Sequence, residues 1–152
     1  SRGLGDVYKR QELQANRIVI AALQQEAATS RPVISALQQP QARPYALAGT
    51  GTAARASGTI VLDRQQKQVV IVAQNLPELP SGQAYRLWAM PQNSKTPAYC
   101  GQFNTSPTGT VSTIWPAESA VCNGNPAQLL ITAESATAPL VPQGELVMKT
   151  AG

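Results

Sequence analysis

The chain has 152 residues, of which only 13% are charged, a formal net charge of +4 and no histidine. That length suits one domain with an extension and is enough to bury a core. Without histidine a Ser-His-Asp or Cys-His nucleophile and a cupredoxin-type copper site are excluded, and two cysteines alone cannot build a typical structural zinc site.

The first stretch, "SRGLGDVYKRQ" (Ser1–Gln11), resembles the in-frame translation of a transposase-type sequencing adapter, whose codons yield all eleven residues in order. It is set aside from the fold, and the expectation is a reading frame whose true N-terminal segment is missing. Arg2, Lys9 and Arg10 against Asp6 give this stretch half of the net charge. The remaining basic residues are scattered singly, so no nucleic-acid partner is expected.

Glu12 to about Gln39 reads as helix. Leu13, Ile20, Ala27 and Ile34 recur at a spacing of seven, with Leu23 and Leu37 at the companion position. Two readings fit: a coiled-coil-like seam, weakened by Asn16 and Ser30 and cut by Pro32, or an amphipathic helix packed on its own domain. The longest early apolar run, Ile18–Leu23, falls far short of the ~20 residues of a membrane-spanning helix. Pro40 to Pro44 ends the helix as a hinge.

Beyond Pro44 the period changes to two. "YALAGTG", "ARASGTIVLD", "QVVIVAQ", "QAYRLWAM", "AYCGQF", "GTVSTIW", "AQLLITAE" and "GELVMK" read as strands, rich in β-branched and aromatic residues and separated by Gly, Pro and Asn. "DRQQKQ" (Asp63–Gln68) reads as a hairpin turn. The expectation is an all-β fold, an antiparallel β-sandwich of about seven to eight strands over 45–150, preceded by a helical stalk and hinge over 12–44.

Candidates for chemistry are few. "GTGTAARASG" leads into a strand rather than a helix and reads as a loop, not a phosphate cradle. Asp63, Glu78, Glu118, Glu134 and Glu145 could in principle include a glycosidase-type carboxylate pair, yet most sit at turns or strand ends, where solvated carboxylates are ordinary. "NSK" (Asn93–Lys95) holds a serine and a lysine at what reads as a loop tip. No catalytic residue, metal site or cofactor is expected.

"LPELPSGQAYRLWAM" (Leu76–Met90) is the most distinctive stretch. Its prolines lack an N–H, so the entry cannot be a central strand. Ser81-Gly82 turns the chain, after which Tyr85, Leu87 and Ala89 alternate with Arg86, Trp88 and Met90. Large groups on both sides suggest a strand covered on both faces. The aromatics Tyr85 and Trp88 read as core rather than as a ligand-stacking site.

This stretch resembles the signature of the C-terminal domain of the anti-sigma-K factor family. The family's Leu-Pro, Leu-Pro, Gly and Tyr-x-Leu-Trp fall on Leu76-Pro77, Leu79-Pro80, Gly82, and Tyr85, Leu87, Trp88. Its Gly-x-Phe matches Gly101 and Phe103, its Gly-Thr-Val matches Gly109–Val111, and its late strand resembles Ile131 to Glu134. The similarity runs from about Ala36 to Met148. One departure is "SATAPLVP" (Ser135–Pro142), which lacks the family's usual glycine-rich turn.

The resemblance implies a membrane-anchored regulator of an extracytoplasmic-function sigma factor. A missing N-terminal domain would hold the sigma factor, a membrane anchor would follow, and this fragment would be a non-catalytic periplasmic domain. Release would follow cleavage by a site-one type protease. An alternative is a periplasmic binding or adhesion module unrelated to sigma factors; an enzyme with an unrecognised carboxylate site is another. The oxidising compartment so implied favours a disulfide between Cys100 and Cys122, which the out-and-back path of "GTVSTIW" can bring together; two unpaired cysteines are the alternative.

Overall fold

A computed structural model describes residues 31–40 and 42–151. The seven-residue seam ahead of Ser30 and the adapter-like stretch lie outside the described residues. A short helix, α1 (Arg31–Leu37), precedes eight strands: β1 (Arg43–Gly49), β2 (Ser57–Asp63), β3 (Gln68–Gln74), β4 (Gln83–Met90), β5 (Ala98–Phe103), β6 (Val111–Pro116), β7 (Gln128–Ser135) and β8 (Glu145–Thr150). Every stretch expected as a strand is one. All neighbouring strands pair antiparallel in one sheet of order β5-β4-β7-β8-β1-β2-β3-β6.

The sheet curls until its edge strands, β5 and β6, face each other, so it is a nearly closed barrel whose two halves pack like the layers of a sandwich. Side chains bridge the remaining seam. The Trp115 indole N–H donates to the Cys100 carbonyl at 2.6 Å, and the Phe103 and Trp115 rings stack with centroids 5.9 Å apart. Cys100 on β5 is disulfide-bonded to Cys122, in a 3-10 turn beyond β6, with Cα atoms 5.5 Å apart. Tying a loop of this length stabilises the fold by about 3 kcal/mol on the chain-entropy model.

The interior is apolar: Ile60, Leu62, Val69, Ile71, Tyr85, Leu87, Leu129, Ile131 and Met148 are all essentially inaccessible. The alternate positions explain two runs that do not alternate in hydrophobicity. On β2 and β3, Val61, Val70 and Val72 point outward and are buried by α1 through Val33 and Ala36, with Leu37 and Ile114 packed beside them. Both faces of β3 are therefore covered, which is why Val69–Ala73 is apolar throughout. Pro32 lies in the first turn of α1, where its missing N–H costs nothing. Ile34, on the seven-residue spacing, is 38% exposed, so in α1 the buried face is that of an amphipathic helix packed on its own sheet.

The hairpin turn after β2 is closed by Asp63, whose Oδ1 accepts the backbone N–H groups of Gln65 and Gln66 at 3.0 and 3.1 Å. Asp63 Oδ2 is buried without a partner.

Candidate functional site

The Leu76–Met90 stretch folds as a bracket around the barrel mouth. The Leu76 N–H donates to the Gly109 carbonyl at 3.0 Å and its side chain enters the core, with Leu79 packed against it. The Tyr85 hydroxyl donates to the Pro77 carbonyl, locking the bracket onto β4. The Pro80 carbonyl receives the Gln83 N–H, and Gly82 at the turn takes φ +85°, a conformation that favours glycine. Burial, and secondarily the charge of Glu145, push the Tyr85 phenol up to about 12.

Tyr85 and Leu87 point into the barrel; Arg86 and Trp88 point out, yet both are buried. Trp88 packs edge-on against the Tyr99 ring, while Arg86 lies beneath the β7–β8 connection, Ala136–Gly144, which folds back over the outer face of the sheet. Two buried charges hold this flap. Arg86 donates to the carbonyls of Ala138 at 2.8 Å, Pro139 at 2.9 Å and Ala136 at 3.4 Å, and to Gln102 Oε1 at 2.8 Å. Its guanidinium also lies 5.9 Å from the Tyr99 ring centroid. At the far stem Glu134 accepts the N–H groups of Gln143 at 3.2 Å and Gly144 at 3.0 Å. Between them Leu140 and Val141 stand exposed.

Gly101 and Phe103 serve the seam. Gly101 has φ +141°, and a methyl group there would overlap the Trp115 indole. Phe103 stacks between Tyr85 and Trp115, with centroid separations of 5.7 and 5.9 Å.

The remaining carboxylates do not converge. Glu145 accepts from the Thr52 hydroxyl at 3.1 Å, Glu78 and Glu118 are exposed on different segments, and no three His, Cys, Asp or Glu side chains cluster among the described residues. Ser94 of "NSK" accepts the Thr96 N–H at 3.0 Å in an exposed loop. "GTGTAARASG" forms the corner between β1 and β2, including a 3-10 turn at Gly51–Ala53. The described residues form an open cleft of about 540 Å³ between this corner, the Asn75–Glu78 entry of the bracket and the Pro107–Gly109 turn, and a smaller one of about 230 Å³ at the seam beside Tyr99 and Trp115. Sequence alone does not assign roles to Arg86, Thr132, Gly144 and Trp115; for Arg86 the available signal is a charge on a strand covered on both faces.

The architecture defines the class of protein: a β-barrel domain whose distinguishing residues hold the scaffold together. The chain belongs to the family described as "Anti-sigma-K factor rskA, C-terminal", whose profile matches residues 3–146. The matched range begins inside the adapter-like stretch. It is thus the C-terminal domain of an anti-sigma factor, a family that implies a sigma factor partner and suggests membrane association. No curated protein and no solved structure matches the chain significantly. Among the described residues no helix is long and apolar enough to cross a membrane.

Proposed function

We propose that this domain is the extracytoplasmic, non-catalytic regulatory region of a single-pass anti-sigma factor, controlling an extracytoplasmic-function sigma factor through regulated proteolysis. In this reading 12–44 is the stalk and hinge, 45–150 is the sensory domain, and Ser1–Gln11 is not native. The sigma factor is held by a separate N-terminal domain across the membrane, and a site-one type protease cuts between the anchor and the barrel. The signature residues Leu76, Pro77, Leu79, Pro80, Gly82, Tyr85, Leu87, Trp88, Gly101, Phe103 and Glu134 act as architecture. The observation that carries this reading is the consumption of the signature's polar atoms by internal bonds, combined with family membership.

The test is a sigma-dependent reporter in cells carrying the full-length anti-sigma factor with or without residues 45–150. Loss of the domain is expected to change both reporter output and the amount of cleaved anchor. Unchanged output and unchanged cleavage would overturn the proposal, as would tight binding of the sigma factor by the purified domain alone.

A further inference from the structure

The 540 Å³ cleft has the volume of a ligand site, and its walls are fixed by backbone bonds rather than by mobile side chains. On one side the Gly51–Ala53 turn is closed by Ala53 N–H to Thr50 O and Ala56 N–H to Ala53 O, each 2.9 Å, and anchored to β8 by Thr50 N–H to Val147 O at 2.8 Å. On another, Leu76 N–H to Gly109 O and Gly109 N–H to Ser106 O tie the bracket entry to the tight turn. The Tyr85 hydroxyl fixes Pro77 from below.

Onto these walls the sequence places Arg55, Asn75 and Glu78. None of the three side chains makes a hydrogen bond or ion pair within the described chain. On the same wall the Thr52 hydroxyl donates to Glu145 at 3.1 Å, so a second carboxylate stands beside the Gly51–Ala53 turn. The cleft lining thus includes an exposed cation and an exposed anion with no partner among the described residues, together with an amide, Pro77 and Pro107.

The geometry points to this cleft as a binding site for a short peptide with free termini. Arg55 receives the ligand carboxylate through a charge-assisted, bidentate-capable pair. Glu78 receives the ammonium, Asn75 serves the peptide amides, and the prolines cover aliphatic side chains. A simple phosphate would meet Arg55 but be repelled by Glu78, and a neutral sugar would leave both charges unused. This assignment rests on the proposed sensory role, because it names the kind of ligand such a domain detects.

The experiment is an NMR amide titration of the purified chain with tri-alanine, its N-acetylated, C-amidated form, and glucose. Saturable shifts are expected with free tri-alanine, confined to Thr52–Arg55, Asn75, Leu76, Glu78 and Thr108–Gly109. Arg55→Met and Glu78→Gln, both surface changes that leave the unfolding temperature unaltered, should each weaken binding by about tenfold, the loss of one charge-assisted contact. The blocked peptide and glucose should not bind. No saturable shift up to about 10 mM, equal binding of the blocked peptide, or unaltered binding by both variants would overturn the site. Binding with no effect of the domain on the sigma-dependent reporter would instead retain the cleft and reject the regulatory reading.

Discussion

Trp88 and Glu134 are joined through a single hydroxyl: the Trp88 indole N–H donates to Thr132 Oγ1 at 2.8 Å, and the Thr132 hydroxyl donates to Glu134 at 2.6 Å. Two signature residues on neighbouring strands are thus one unit, completed by the Gln143 and Gly144 N–H groups of the flap. The group in the middle is the vulnerable one. Thr132→Val keeps shape but leaves an indole N–H unpaired and a buried carboxylate short of a donor. The expected loss is about 1–3 kcal/mol, read by urea unfolding. Thr132→Ser, which restores the hydroxyl, should recover most of it; equal losses for both variants would contradict the relay.

Arg86 carries a buried charge answered by carbonyl dipoles, a side-chain amide and an aromatic face. Arg86→Met should raise amide exchange across Ala136–Gly144 while the protection of β2 and β3 persists. Arg86→Lys should rescue little, because a point ammonium cannot span carbonyls from three residues. Unchanged exchange in the flap would refute its clamping.

Gly101→Ala should displace the Trp115 indole from the seam, since glycine alone tolerates both the φ and the contact. The expected readout is red-shifted tryptophan emission with the Trp115→Phe background as control. The expected loss is about 1–3 kcal/mol, in the range of an overpacked site.

The Tyr85 phenol is raised to about 12, first by burial and then by the charge of Glu145. A folded value above the unfolded one means the native state holds the proton more tightly. This contribution is complete below about pH 10, the ordinary phenol value, and is lost as pH rises toward 12. The stability difference between wild type and Tyr85→Phe should therefore shrink over that window. A difference constant with pH would show that the phenol titrates normally.

The strands are legible because each outward or inward set repeats every two residues, and the Gly-Pro punctuation marks their ends. Even the exceptions are informative: Val69–Ala73 and Tyr85–Trp88 announce coverage on both faces. What covers them is not legible, because α1 and the flap meet the sheet through residues far apart in the chain, such as Val33 with Val70 and Arg86 with Pro139. The curl that brings β5 to β6 is equally hidden. It depends on Trp115 fitting over Gly101, a pairing that no local pattern encodes. Cys100 and Cys122 are the readable trace of that seam, and they are bonded across it.

The attachment of α1 also decides how the domain carries a load. A pull on the chain at Arg31 reaches the helix first, and its few contacts, Val33, Ala36 and Leu37, let go in succession like a peeled strip. The next element is different. β1 lies between β2 and β8, paired with β2 over Arg43–Ala48 and with β8 over Leu47–Gly49, so it must break ladders on both sides before it yields. Tension applied at Arg31 therefore meets a soft stage and then a stiff one, and the soft stage lengthens the chain while the barrel stays whole.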